Sequence, residues 1–72
     1  MNSENKLDPR HRSKINIGTK VNIVLKEDQA SGLLTSGFVE RILTNSKFHP
    51  HGIKVRLETG EVGRVKEIIE ED

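Results

Sequence analysis

The chain has no cysteine, no tryptophan and no tyrosine, and it has only two phenylalanines and two prolines among its 72 residues. Without cysteine no disulfide can form, and a cysteine-free chain is typical of a reducing compartment. A domain of this size lies near the lower limit for folding on a hydrophobic core alone. Its stability must therefore come from the packing of its apolar side chains.

Long apolar runs are also missing. No stretch approaches the length of about 18 residues that a membrane-spanning helix needs, and the N-terminal residues contain no apolar signal-peptide core. These absences predict a cytoplasmic protein.

Charge of one sign is not in excess, since twelve Lys and Arg oppose eleven Asp and Glu for a net charge of +1. Any electrostatic prediction must therefore rest on where the charges lie. Residues 1–14 are locally basic and polar, and they show neither helical nor strand periodicity, which predicts a flexible arm. A solvated tail and an arm that touches nucleic acid both fit this composition; in the second case Arg10 and Arg12 are the candidate ligands.

The longest strand-like stretch is residues 32–44, which Gly37 interrupts. A glycine inside a strand marks a bulge, a bend or a close backbone approach, and we expect a strand bent there whose two halves pair with the apolar runs on either side. Those runs are residues 20–26, 53–57 and 61–66, each with alternating apolar side chains. The pattern predicts an all-β domain over residues 15–72: a small barrel of four to five antiparallel strands.

The remaining segments follow from composition. Residues 27–32 and 45–52 are predicted loops, and Ile68 and Ile69 are available to close one end of the barrel. We expect Phe38 to lie in the core, whereas Phe48 could either anchor its loop or meet a base or partner. We find no internal repeat.

The turn at residues 58–60 sets a register. A three-residue loop ending in Gly60 pairs Leu57 with Glu61, Val55 with Gly63 and Ile53 with Val65, and places these six residues on one face. A two-residue loop would instead drive Arg64 toward the core, so we favour the three-residue loop.

The opposite face of this hairpin is then basic. It carries Lys54 opposite Arg64, Arg56 opposite Val62, and Lys66 one step further along, and no acidic residue of the hairpin lies between them. Like charges directly opposite each other destabilise a sheet, whereas an anionic partner would explain the arrangement. The other interpretation is a solvated face that keeps the strands from aggregating. The candidate nucleic-acid-binding residues are Lys54, Arg56, Arg64 and Lys66.

Other chemistry has little support in the sequence. His49 and His51 flank a proline, but no third metal ligand is placed near them, so we predict no metal site and no cofactor. No nucleophile or phosphate-loop pattern occurs, and a barrel this small is filled by its own side chains. We therefore predict that the protein is not an enzyme.

Much of the chain after the arm resembles the YwbE family of small bacterial proteins. The residues that carry the resemblance are Gly18 and the segments 21–26, 28–29, 32–37, 42–44, 49–57 and 60–65. The resemblance names a family and implies no particular activity.

A second, weaker resemblance covers residues 21–42, which are similar to the KOW motif of ribosomal and transcription-elongation proteins. An apolar strand and a polar loop are followed there by Gly37-Phe38-Val39-Glu40-Arg41-Ile42. This resemblance implies an SH3-like barrel that binds RNA or proteins.

Two functions are consistent with these features. The first is a monomeric, non-catalytic module that contacts RNA or a ribonucleoprotein through its basic residues, without base readout because the chain offers no Tyr or Trp. The second is a protein-interaction module that uses loops 27–32 and 45–52 or an exposed strand edge.

Overall fold

Four antiparallel strands close into a barrel in the order β1-β2-β3-β4. The structure is a computed structural model that describes residues 7–69. The strands are β1 (Lys20–Leu25), β2 (Thr35–Ile42), β3 (Lys54–Leu57) and β4 (Val62–Ile69). Helical structure in the described range is confined to two 3₁₀ turns, Arg12–Lys14 and Lys26–Asp28. The predicted all-β barrel is confirmed, and the closed four-stranded architecture is consistent with an SH3-like fold.

The core is made by the inward residues of every strand, as their alternation predicts. Seven side chains are fully enclosed: Val21, Ile23, Val39, Ile53, Val55, Leu57 and Val65. Ile15 joins this cluster from the segment that precedes β1. Burying each such side chain stabilises the fold by about 1.5–3 kcal/mol, which is how a chain without disulfides holds together.

The predicted hairpin register is confirmed. Lys54 pairs with Arg64, Val55 with Gly63 and Arg56 with Val62. The turn is the three-residue loop, in which Leu57 donates its backbone N–H to the carbonyl of Glu61 and Gly60 has a φ of +101°. Strand β4 is longer than predicted and includes Ile68 and Ile69.

Strand β2 is shorter than predicted, and it is not at Gly37 that its pairing is irregular. The register with β1 runs without a shift from Lys20 opposite Phe38 to Ile23 opposite Thr35. Gly37 is instead a close-approach position, since an added Cβ would lie 2.6 Å from Cδ1 of Leu57. The expectation that each half of β2 pairs with a different neighbour holds, because its first half pairs with β1 and its second half with β3.

A register shift lies further along β2, between Val39 and Arg41, so that Glu40 is an extra residue opposite β3. Val39 is buried and Ile42 packs against the core, which leaves Glu40 and Arg41 both on the outer face. This β-bulge changes the phase of the alternation. Without the extra residue, Arg41 would share the inward phase of Val39.

A second bulge lies in β4, where the register with β1 shifts between Asn22 opposite Glu67 and Ile23 opposite Val65. Lys66 is the extra residue. The inward residues on either side are Val65 and Ile68, the same Val-x-x-Ile spacing as in β2. Strands β2 and β4 therefore contain the same kind of β-bulge.

The two hairpins, β1 with β2 and β3 with β4, repeat a single pairing pattern. Val21 pairs with Gly37 in the first hairpin, and Val55 pairs with Gly63 in the second. The contacts between hairpins match in the same way: Val39 of β2 lies opposite Leu57 of β3, and Val65 of β4 lies opposite Ile23 of β1. The structure thus contains a repeat that we did not find in the sequence.

Phe38 does not lie in the core, as we had expected from its size. It lies between the inward positions 37 and 39, so the alternation of β2 places it on the outer face, 37% exposed. There the ammonium of Lys20 lies 6.0 Å from its ring centroid. The expectation was wrong because residue type was given more weight than register.

The second half of the predicted arm contacts the loop before β3. The backbone N–H of Arg12 donates to the carbonyl of Lys47, His49 donates to the carbonyl of Arg10, and Ile53 donates to the carbonyl of Pro9. Residues 1–6 of the predicted arm lie outside the described residues. Flexibility of the arm stays a prediction.

Candidate nucleic-acid interface

Four cations lie on the outer wall of strands β2, β3 and β4. Lys54 lies directly opposite Arg64, and Arg56 lies directly opposite Arg41. We call these four residues the basic face. Lys54, Arg56 and Arg64 were predicted from the hairpin register, and the structure brings them together as expected.

Arg41 was missed by the sequence analysis. Strict alternation from Val39 places it inside the barrel, and only the bulge at Glu40 turns it outward. The signal that could have found it is the spacing of the apolar residues Val39 and Ile42, since two inward residues three positions apart in a strand require an extra residue between them.

Arg64 is the most constrained member of the basic face. It is partly buried, and its Nη1 donates a hydrogen bond of 3.2 Å to the carbonyl oxygen of Gly52. That contact connects the outer wall of β4 to the end of loop 45–52. It uses one of the five N–H donors of the guanidinium, so the others keep their capacity to bind an anion.

One carboxylate touches the basic face. Oε1 of Glu40 lies 3.3 Å from Nε of Arg56, and both side chains are about half exposed. An exposed pair of this kind contributes roughly 0–1 kcal/mol. It offsets one of the four positive charges and leaves the opposed pair Lys54 and Arg64 without a carboxylate in ion-pair contact among residues 7–69.

Lys66, the fourth predicted residue, is separated from the other three. As the extra residue of the β4 bulge it is exposed, and it lies two residues beyond Arg64 along β4, past the last pair that β4 forms with β3. Together with Arg64 it lines an open groove of about 640 Å³. The groove is bordered by Val24, Gln29, Gly32, Leu34, His51, Arg64 and Lys66.

Burial and neighbouring positive charge affect the pKa of His49 in loop 45–52. Partial burial, followed by the positive charges of Arg64 and His51, lowers the pKa of His49. The rings of His49 and His51 lie 5.7 Å apart. No group of three potential metal ligands occurs within residues 7–69, so the two imidazoles have no third ligand there.

Arg10, a predicted nucleic-acid ligand, is engaged within its own segment. It forms a two-pronged contact with Asp8, at 3.1 Å from Nε and 2.9 Å from Nη2. The guanidinium lowers the pKa of Asp8 to about 2, and the carboxylate in turn raises the pKa of Arg10. The guanidinium carbon of Arg10 also lies 5.6 Å from the ring centroid of Phe48.

Arg12, the other predicted arm residue, lies nearer to the basic face. Its Nε donates a 2.9 Å hydrogen bond to the carbonyl of Thr44, whose hydroxyl accepts from the backbone N–H of Lys54 at 2.8 Å. The arm therefore places one cation at the Lys54 end of the basic face.

Phe48 anchors the N-terminal segment. Its ring contacts that of His11 with a centroid separation of 5.0 Å, and the two residues form an isolated β-bridge. The ring is still 44% exposed. Of the two roles left open for this residue, the structure shows the anchoring one.

Within the described range, no helix has the length and apolarity required to span a bilayer.

Comparison with known proteins identifies the family. The family model described as "Uncharacterized conserved protein (DUF2196)" matches residues 8–68. The chain is 54% identical over 63 residues to the "Uncharacterized protein YwbE" of Bacillus subtilis (strain 168), a match that covers 88% of this chain and 97% of that protein. No solved structure matches the chain. The resemblance to the KOW motif stays a prediction. A family model spanning nearly the whole barrel and a relative of this similarity together show that the chain belongs to the YwbE family.

Proposed function

We propose that this protein is a non-catalytic cytoplasmic module that binds RNA, free or in a ribonucleoprotein, through phosphate contacts made by the basic face. The observation that carries the proposal is that cations lie directly opposite each other in two pairs, Lys54 with Arg64 and Arg41 with Arg56. Each opposed pair costs the sheet roughly 0.2–1 kcal/mol. A polyanion offsets that cost, because each phosphate accepts hydrogen bonds from the cations beside it and its negative charge reduces their mutual repulsion.

The geometry favours backbone contacts over base reading. Lys and Arg on a strand surface neutralise phosphates and release counterions, which gives affinity with little sequence preference. Arg64 is part-buried and held by its hydrogen bond to the Gly52 carbonyl, so one cation of the face is positioned before a ligand arrives. A positioned side chain loses less entropy on binding.

RNA is favoured over DNA by the resemblance of residues 21–42 to the KOW motif. The competing protein-interaction function has less support at a strand edge, since each strand of the closed barrel pairs with both neighbours over part of its length. The edge left open by these pairings is short, for example residues 67–69 of β4, which pair only with β1. Docking on loops 27–32 and 45–52 is the other route.

The test is fluorescence anisotropy of a labelled single-stranded RNA across a salt series. Four phosphate contacts give a slope of log affinity against log salt near −3. The double variant Arg41→Gln with Lys54→Gln should weaken binding and reduce the steepness by about 1.4, because two contacts are lost. Both residues are exposed, and neither donates a structural hydrogen bond from its side chain in the described contacts.

The matched control removes the same charge elsewhere. Lys14→Gln with Lys26→Gln changes two exposed lysines that lie outside the basic face. If both double variants lower affinity and slope equally, net charge rather than the basic face drives binding, and the proposal fails. Wild-type binding that does not respond to salt would also contradict it.

A further inference from the structure

The groove beside the basic face has the size and shape of a small-ligand site. Its volume of about 640 Å³ lies within the range of roughly 300–1,000 Å³ found for such pockets. Its walls come from three separate parts of the chain: the end of β1 with the loop that follows, the end of loop 45–52, and β4.

The charge of the groove is of one sign. Arg64 and Lys66 are its two cations, His51 adds an imidazole ring, and none of its seven lining residues is an Asp or Glu. Lys66 follows Arg64 by two residues along β4, so alternation places both side chains on the outer wall. A ligand that fits this lining is an anion.

The groove also has an apolar side. Val24 is 5% exposed, and Leu34 beside it is 40% exposed although it is a large hydrophobic residue. The imidazole of His51 and the guanidinium of Arg64 supply planar groups on which a nucleobase can stack, in a chain that has no Tyr or Trp. The side-chain amide of Gln29 adds one hydrogen-bond donor and acceptor at the rim.

Arg64 belongs to both surfaces. It pairs with Lys54 on the basic face and lines the groove with Lys66. A nucleic-acid strand that crosses the basic face can therefore continue into the groove while its phosphates stay next to cations. Each nucleotide of that strand joins an anionic phosphate to a flat, partly apolar base.

We propose that the groove binds one unpaired nucleotide of the RNA, with its base between Leu34 and His51 and its phosphate at Arg64 and Lys66. This inference rests on the proposed function. The groove site gives the proposed RNA-binding function a preference for single-stranded over double-stranded RNA, because a paired base cannot enter the groove.

The test compares Leu34→Ala and His51→Ala with Leu33→Ala, a neighbouring leucine that is 61% exposed and does not line the groove. Binding of a single-stranded RNA and of a duplex of the same sequence is measured by anisotropy. We expect His51→Ala to weaken single-strand binding by about tenfold, as for the loss of one stacked base. Duplex binding, the salt slope and the Leu33→Ala variant should stay at wild-type values.

A second measurement uses a nucleoside monophosphate as a probe. Titration should shift the amide NMR signals of residues 29–34 and 51–52, and the single-stranded RNA should displace the probe. Binding of the monophosphate that RNA does not displace would assign the groove to a free nucleotide and overturn the inference.

The two proposals fail in different ways. If Arg41→Gln with Lys54→Gln weakens RNA binding while Leu34→Ala and His51→Ala do not, the basic face stands and the groove assignment is wrong. If none of these variants changes RNA binding, the proposed function fails first.

Discussion

The two hairpins of the barrel share their pairing pattern and differ in their outer faces. Where the second hairpin has Lys54 opposite Arg64, the first has Lys20 opposite Phe38. The two contacts between hairpins differ as well: Arg56 of β3 lies beside Arg41 of β2, whereas Asn22 of β1 lies beside Glu67 of β4 and is joined to it by a 2.7 Å hydrogen bond. Positive charge is thus gathered on one of two equivalent surfaces.

What the hairpins share is what the fold requires. Each has a glycine that faces the core and a bulge residue three positions later, and each glycine faces a large buried residue of the other hairpin, Leu57 for Gly37 and Ile23 for Gly63. The outward residues carry no such constraint, since polar, aromatic and charged side chains all occur there. The charge of the second hairpin therefore calls for an explanation in function.

The largest expected effect tests the equivalence of the two halves in the core. Ile23→Ala and Leu57→Ala each remove a fully buried side chain, and each should lower the free energy of unfolding by about 2–5 kcal/mol. Both losses should fall in this range because both side chains are fully enclosed at matching positions. Chemical denaturation monitored by circular dichroism measures both. A much smaller loss of unfolding free energy at one site would show that the two hairpins do not contribute equally to stability.

The next effect separates the two glycines. An added Cβ at Gly63 would lie 2.4 Å from the backbone carbonyl oxygen of Val24, whereas at Gly37 the nearest atom is the end of the Leu57 side chain. Gly63→Ala should destabilise by about 3 kcal/mol and Gly37→Ala by about 1 kcal/mol, because a side chain can shift and a paired backbone cannot.

A double-variant cycle sharpens this contrast. Gly37→Ala combined with Leu57→Ala should cost less than the sum of the two single changes, since the smaller residue 57 makes room for the new methyl group. Gly63→Ala combined with Ile23→Ala should show no comparable relief, because the Val24 carbonyl remains in place. Equal coupling in the two cycles would contradict the stated cause.

A smaller effect has opposite signs in the two hairpins. Lys54→Glu replaces an opposed cation pair by an ion pair with Arg64 and should raise the free energy of unfolding by about 0.2–1 kcal/mol. Lys20→Glu loses a cation that lies over the Phe38 ring and should not stabilise. RNA affinity should fall for Lys54→Glu and change little for Lys20→Glu. A stabilising change that lowers binding is the pattern expected of a face kept for a ligand.

The smallest effect concerns the segment before the first hairpin. The folded-state pKa of Asp8, about 2, lies below its ordinary value of 3.8. Its carboxylate therefore stabilises the folded segment above pH 3.8, and this contribution is lost as the pH falls toward 2. Amide NMR signals of residues 9–12 should shift over that range in the wild type. They should not do so in Asp8→Asn, whose barrel signals serve as the reference.

The second hairpin was predictable from sequence because its signals are local. Alternation in residues 53–57 and the glycine at position 60 fix the register, and the register fixes three of the four residues of the basic face. Arg41 was not found because strict alternation from Val39 places it inside the barrel, and only the three-residue spacing of Val39 and Ile42 marks the bulge that turns it outward. Phe38 was misplaced for a different reason, since the alternation of β2 puts it outside and only its size suggested the core.

Neither the repeated pairing pattern of the hairpins nor the groove could be predicted from the sequence. The connection of residues 26–34 in the first hairpin is much longer than that of residues 58–60 in the second, so matching positions are not evenly spaced along the chain. The groove is formed by three distant segments, and no spacing in the sequence predicts that His51 and Leu34 border one space. The docking of residues 9–12 rests on backbone hydrogen bonds, which leave no pattern of side chains.

The pairing of β1 with β4 has one more consequence, for the order in which the strands are joined. Lys20, the first residue of β1, lies opposite Ile69, the last residue of β4, so the barrel begins and ends at the same place. Neighbouring ends are the geometry that tolerates circular permutation or insertion into a host protein's loop. A chain reopened within the exposed residues 29–32 and joined across its present ends would keep every strand beside its present neighbours.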